Sequence, residues 1–390
     1  MYNKLLALFA LFSASPVLFS IGINHSIILL LTFLLFLHKE ASNIYLTFKT
    51  PSISAIIMFL CFTILSIVWN DFIFLFACLH LFFWFLILNK MAISDYREIL
   101  THATKTLEIL AGLSIIAHFL YLLDFKPLFS ITNPNSLPNY YYYTTFSNDI
   151  TERYMRPSGI YDEPGTFSFI LCVVASCREM MGMNKFKTTR LLILGISTLS
   201  LAHFIFLSFY LLSIIKVQTF KKGKFIFLFI LVAIFLSSTD YINDTIFSRF
   251  ETSDERLFAG DNRSQSIFQA LSVISDNNFS IFNGMGSSNN STLDTEYLQG
   301  MVGQNPLSLL IFYGLIGSWP YYLLLIYMAA YPLIKGRIFL HLFGVMLLLL
   351  QRPYIYAPCY SFFISILFLS SLRTFNYHKI YKHAKLLNRH

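Results

Sequence analysis

Residues 191–215 read "LLILGISTLSLAHFIFLSFYLLSII". The run is apolar enough to enter a membrane, yet basic clusters stand on both sides of it. Arg178, Lys185, Lys187 and Arg190 precede it, and Lys216, Lys221, Lys222 and Lys224 follow it. Lysine and arginine mark cytoplasmic loops, so a single pass would strand one cluster on the wrong side. Two full passes through a core ~30 Å thick need far more than the ~37 Å that a helix of this length supplies. Two short or re-entrant half-helices meeting near Ser200–His203 resolve the conflict. Non-helical backbone at that depth requires burial in protein or a cavity.

The flanking sequence carries the same signal. Of the 390 residues, 56% are hydrophobic and 12% are charged. A water-soluble domain keeps roughly a quarter of its residues charged, so the composition is that of an integral membrane protein. No segment is long and polar enough to form an independent soluble domain. Further spans are expected near 4–23, 25–38, 52–69, 72–89, 106–123, 165–182, 225–239, 306–333, 337–351 and 354–372. The first is read as a retained span, because its apolar run continues past the small residues to Ile23. With the broken pair, the fold class is an all-α polytopic membrane bundle of about twelve membrane segments. The chain 1–390 is one membrane domain with both termini cytoplasmic. Two large outer loops cover 124–164 and 240–305. The five cysteines fall in or beside apolar runs without metal-ligand spacing, and they read as small core residues.

This topology sorts the charges. The inner side holds 21 Lys and Arg against 5 acidic residues, and the outer side 7 against 15, consistent with the net +8 of the chain. Six of the seven outer cations are arginines: Arg153, Arg156, Arg249, Arg256, Arg263 and Arg352. Orientation does not account for that preference. Guanidinium forks bind phosphate bidentately and stay charged, so an outer-face substrate bearing a diphosphate is one reading. Pairing of each arginine with a nearby carboxylate is the other.

One outer stretch concentrates the chemistry. "YMRPSGIYDEPGTFSFI", 154–170, places Arg156, Asp162 and Glu163 directly before an apolar run. Pro157, Gly159 and Pro164 forbid a continuous helix through it, so it is expected to be extended or turned. Pro164 suits the first turn of the entering helix, with Asp162 or Glu163 near its cap. Those carboxylates either satisfy the helix terminus or serve a site at the membrane mouth.

The segment from Arg156 to Pro164 resembles the R-x-x-G-x-x-x-E-P signature of bacterial O-antigen and capsular polysaccharide polymerases, the Wzy class. "DNRSQSIFQALSVISDNNFSIFNGMGSSNN", 261–290, is similar to the arginine-led helix and G-x-G turn of O-antigen polymerases and ligases. Arg263, Gly284 and Gly286 fall at its arginine and glycines. "LDTEYLQGMVGQNPLSLLIFYGLIG", 293–317, resembles the segment that re-enters the membrane. O-antigen ligases carry a histidine before the late span. This chain has Asp294 and Glu296 there, and its outer loops hold no histidine. The departure argues for a polymerase over a ligase.

The resemblance implies transfer of a glycan from a polyprenyl diphosphate to a hydroxyl of another lipid-linked repeat. It implies a bacterial inner membrane location with the site facing the outer side. It also implies a chain-length-regulating membrane protein as a partner. Fixed cations near the leaving diphosphate would lower the barrier. Arg156, Arg263, Arg249 and Arg352 are assigned to it, and Glu163, Glu296 and Asp294 are the carboxylates for the acceptor proton. Gly159 shapes the turn, while Gly284 and Gly286 either approach phosphate through backbone N–H groups or form a plain tight turn. His203, at the expected break, is a pocket residue or a packed core histidine. No D-x-D pair or metal-ligand cluster appears in the outer loops, so no metal or cofactor is expected. The tyrosines of "LPNYYYYTTF", 137–146, read as an interfacial belt, with sugar stacking as the alternative. The basic tail 373–390 reads as a cytoplasmic contact with anionic lipid and not as a nucleic-acid site. A flippase or transporter of the same lipid-linked oligosaccharide is the rival of a different class, but no internal repeat is visible.

Overall fold

A computed structural model describes residues 2–20, 25–40, 50–69, 73–132, 139–150, 155–214, 262–276, 279–286 and 305–387. The expected span at 225–239, together with Arg249, Asp294 and Glu296, lies outside the described residues. Most of the described chain is helical. The helices are α1 (Tyr2–Phe12), α2 (Pro16–Ser20), α3 (His25–Glu40), α4 (Thr50–Val68), α5 (Ile73–Asn89), α6 (Ile93–Leu122) and α7 (Pro164–Met180). They continue with α8 (Lys185–Leu194), α9 (Leu201–Ile214), α10 (Asn262–Ile274), α11 (Ser308–Lys335), α12 (Leu340–Gln351) and α13 (Pro358–Leu387). By length and composition, α6 and α11 can each cross a membrane, whereas α1, α9 and α12 are apolar but shorter. The basic tail continues α13 as helix through Leu387. At its start Arg373 donates to the carbonyls of Asn89 and Met91, at 3.0 and 2.8 Å, closing the C-terminus of α5 with a cation.

Helix α7 is the centre of the molecule. It touches α6, α8, α9, α12 and α13. Its residues Phe167, Phe169, Ile170, Leu171, Val173 and Val174 point in every direction around the helix, and all are fully buried. A helix that is apolar all round is stable only when surrounded. Near its C-terminus, Arg178 is buried and donates from Nε to Thr188 Oγ1 (3.0 Å), from Nη1 to Thr104 Oγ1 (3.0 Å) and from Nη2 to the Asn184 carbonyl (3.2 Å). Those bonds tie α7 to α6 and α8.

The break in 191–215 is present, slightly earlier than expected. Helix α8 ends at Leu194, a 3-10 turn covers Gly195–Thr198, and Leu199 turns left-handed with φ 47° before α9 begins. L-residues rarely adopt that conformation outside Gly, which marks Leu199 as a position held by its surroundings. His203 does not sit in the break; it lies in the first turn of α9 and reaches back across it. Its Nε2–H donates to the Leu192 carbonyl at 2.8 Å, one of the carbonyls that the end of α8 leaves without a helical partner. That fixes the tautomer, so Nδ1 accepts from the Cys172 thiol at 3.4 Å. His203 is fully buried and lies against Gly195, whose missing side chain makes room for the ring. It staples the two short helices together.

A second discontinuity interrupts α11. Gly314 has φ 58° and ψ −172°, a conformation essentially restricted to glycine. The loop 280–286 fills the gap. Ile311 and Phe312 offer their carbonyls to the N–H groups of Met285 (2.7 Å) and Gly286 (3.2 Å). Leu315 and Ile316 in turn donate to the carbonyls of Ile281 (2.8 Å) and Phe282 (3.1 Å). The groups orphaned by breaking a helix are thus satisfied by an inserted strand of backbone. Trp69, just past α4, donates from Nε1 to the Asn283 carbonyl at 3.1 Å and holds the loop from the side. Trp69→Phe should cost ~0.5–1.5 kcal/mol, the net worth of a neutral hydrogen bond. A thermal unfolding midpoint equal to wild type in detergent would show that this bond contributes nothing.

The first large loop adds short strands to this mostly helical fold. Antiparallel strands β1 (Phe129–Ile131), β2 (Tyr140–Tyr142) and β3 (Phe146–Ser147) form one sheet, and β4 (Asp149–Ile150) pairs with β5 (Met155–Arg156). Aromatic residues suit half-buried pleated surfaces, and the tyrosine run uses this. Tyr140 and Tyr143 are buried, and Tyr141 packs toward Ala117 of α6 with Tyr143 and Met155. Tyr142 stacks on Phe129 at 4.6 Å. The run is divided among several packing partners and does not form one belt.

Candidate active site

The site is built where this sheet meets the start of α7. Phe146 pairs with Gly159, its N–H donating to the Gly159 carbonyl at 2.8 Å, and Ser158 N–H donates back to the Phe146 carbonyl at 2.7 Å. Gly159 has φ 68°, and a Cβ there would come within 3.2–3.3 Å of the Phe167 ring. The backbone therefore turns at Gly159 and delivers residues 160–163 to the helix entrance. Pro164 occupies the first turn of α7, and Glu163 is its extended N-cap residue, with φ −147°.

Glu163 does not cap the helix with its side chain. Its carboxylate instead pairs with Arg352, which follows α12, through Oε1 and Nη1. The Arg352 side chain is 7% exposed and that of Glu163 30% exposed. Arg352 Nη1 also lies 3.5 Å from Thr166 Oγ1, and its Nη2 occupies the space that a Cβ on Gly165 would claim. Gly165 is thus the seat of the guanidinium. Burial works against the charged form of Arg352, but the hydrogen bond and charge of Glu163 outweigh it and hold the guanidinium protonated.

Asp162 lies next to this pair. Its Oδ1 accepts the Glu163 backbone N–H at 2.9 Å, and the Thr166 hydroxyl supports it. Burial pushes its carboxyl above the ordinary range, and the Glu163 charge adds to that; Thr166 and Arg352 pull the other way. Tyr140 of β2 is pushed up to about 12 by burial and by the charges of Asp162 and Glu163. Tyr360 of α13 is buried against Phe169 at 4.5 Å and feels Arg352, Asp162 and Glu163. Two carboxylates, one guanidinium, a threonine and two phenols therefore share the mouth of α7.

The expected residues divide. Glu163 and Arg352 meet: Arg352 is buried and pairs with the Glu163 carboxylate. Arg156 stands in β5 opposite Asp149 in register, half-buried, with its carbonyl accepting from Ser147 Oγ at 2.7 Å. Arg263 falls in the first turn of α10. The N–H groups of Gly284 and Gly286 bond within the chain. Gly284 donates to the Ser280 carbonyl and Gly286 to that of Phe312. A Cβ on Gly284 would meet Gly314 N at 2.6 Å, and one on Gly286 would meet the Trp69 ring at 3.1 Å, so each glycine permits a close approach.

Sequence reasoning passed over Gly165, Thr166 and Tyr360; it took Tyr140 as one of a tyrosine run and left Asp162 between a helix cap and a site at the membrane mouth. The D-E-P-G-T run was the available signal for three of these; nothing local pointed to the tyrosines. His118 was also missed: near the end of α6 it hydrogen-bonds the backbone of Met155, beside Arg156. Among the described residues, no group of His, Cys, Asp and Glu could hold a metal ion. No family model, curated protein or solved structure matches the chain.

Proposed function

We propose that the chain is a polytopic membrane glycosyltransferase of about twelve segments that polymerises lipid-linked oligosaccharide repeats. It transfers the glycan of a polyprenyl-diphosphate donor to a sugar hydroxyl of another lipid-linked repeat. The observation that carries the reading is the mouth of α7. There an arginine and two carboxylates are gathered at the entrance of an apolar helix, beside a small sheet rich in aromatic residues. Buried charge beside hydrocarbon is costly and usually functional. Arg156 and Arg263 remain the diphosphate ligands in this reading, and a carboxylate at the mouth receives the acceptor proton. The outer side of a bacterial inner membrane is the corresponding location, with a chain-length-regulating membrane protein as partner.

The test is extension of a purified lipid-linked repeat by the purified full-length protein. Products of two, three and more repeats are expected, and loss of the gene should leave single repeats in place of a long ladder. Transfer of finished glycan to a lipid core without repeat–repeat products would instead identify a ligase. Movement of the lipid across a vesicle bilayer without new glycosidic bonds would identify a transporter.

A further inference from the structure

Resting on the polymerase reading, we infer that Asp162, and not Glu163, is the proton acceptor for the attacking sugar hydroxyl. The two carboxylates are neighbours in sequence but not in circumstance. Glu163 already has a counter-charge: Arg352 is seated on Gly165 and holds it as an ion pair. A carboxylate held this way has its charge balanced by the guanidinium within the fold. Among the described residues, the donors to Asp162 are neutral: the Glu163 backbone amide and the Thr166 hydroxyl. Glu163 stands beside it with a like charge, and Arg352 acts on it only as a lesser influence. The groups that face it are Glu163 on its own segment, Arg352 after α12, Tyr140 of β2 and Tyr360 of α13. One cation paired with Glu163 leaves the neighbouring Asp162 as the carboxylate that burial and like charge bias toward taking a proton.

The step balances simply. The acceptor oxygen forms a bond to the anomeric carbon of the donor, and the bond from that carbon to the diphosphate oxygen breaks. The electron pair leaves with the polyprenyl diphosphate, and the hydroxyl proton passes to the Asp162 carboxylate, which later releases it to solvent. Glu163 and Arg352 act as positioning residues, because they fix the turn from which Asp162 projects.

The experiment uses the full-length protein in detergent and reads repeat–repeat transfer across pH, with Asp162→Asn and Thr166→Val. D162N should lose transfer by ~10²-fold or more, the usual worth of a general base. T166V removes a donor to the carboxylate, so the acid limb of its pH–rate profile should move to higher pH. Wild-type transfer by D162N, or an acid limb unmoved in T166V, would overturn the assignment while leaving the polymerase reading intact. A readout without substrate separates the two ideas. Infrared difference spectra on acidification should show a protonated-carboxyl band titrating above the ordinary range that D162N removes. Persistence of that band in D162N overturns the assignment even if the protein proves to have another activity. D162N also deletes a carboxylate whose ionisation is disfavoured by folding, so its unfolding midpoint at pH 8 should equal or exceed wild type. A lower midpoint would show a structural anion instead.

Discussion

Arg352→Met should lower the stability of the folded protein by ~3–5 kcal/mol, because it leaves the Glu163 carboxylate partly buried without its counter-charge. The loss should be largest at high pH. Without Arg352, the partly buried Glu163 is left without its counter-charge, and burial favours its neutral form. The associated stability is then present at low pH and is lost as pH rises. The double variant R352M/E163Q should recover much of the loss, since a neutral amide replaces the stranded anion. Thermal unfolding in detergent at pH 5 and pH 8 checks all three statements. An R352M midpoint equal to wild type at pH 8 would mean that the ion pair is not part of the native structure.

Gly314→Ala is the second substitution with a large expected effect. The φ of 58° with ψ near −172° costs an alanine ~1–3 kcal/mol by itself. The added Cβ would also collide with the backbone of the inserted loop, meeting Asn283 C and Gly284 N at 2.5 Å. Four backbone hydrogen bonds cross that contact, so the loop 280–286 should leave the gap in α11. A lower unfolding midpoint and new protease cleavage within 280–286 are expected together. Gly112→Ala serves as the control. Its Cβ would meet nothing within 4 Å, and removing a glycine from the interior of α6 should stabilise by ~0.5–1 kcal/mol. Identical behaviour of the two variants would remove the inserted-loop account.

Much of the helical plan was legible in the order of residues, and the reason is local. Pro164 after two carboxylates and before an apolar run predicts the start of α7, and the helix begins there. Basic clusters on both flanks of 191–215 predict an interruption, and it stands at Gly195–Ser200. What resisted reading was tertiary. Glu163 and Arg352 are 189 positions apart, and nothing in "QRPYIYAP" says which carboxylate its arginine will find. Arg352 and Arg156 look alike as letters, yet burial makes one a structural partner and leaves the other half-buried. The glycines at 284 and 286 announced a close approach without naming what approaches; the neighbour proved to be the broken backbone of α11. The strands of the first loop were hidden because their aromatic residues lie in a tyrosine run with no clean alternation.

The two arginines that anchor α7, its own Arg178 and Arg352 from the end of α12, have a joint consequence. Arg352 grips the first turn from outside, while Arg178 reaches from near the other end into α6 and α8. Sliding the helix along its axis by even one residue, ~1.5 Å, would strain both sets of bonds at once. The core helix is therefore a stationary post in the catalytic cycle proposed for the protein. In the polymerase reading proposed above, the lengthening glycan would then be the part that travels past this immobile centre.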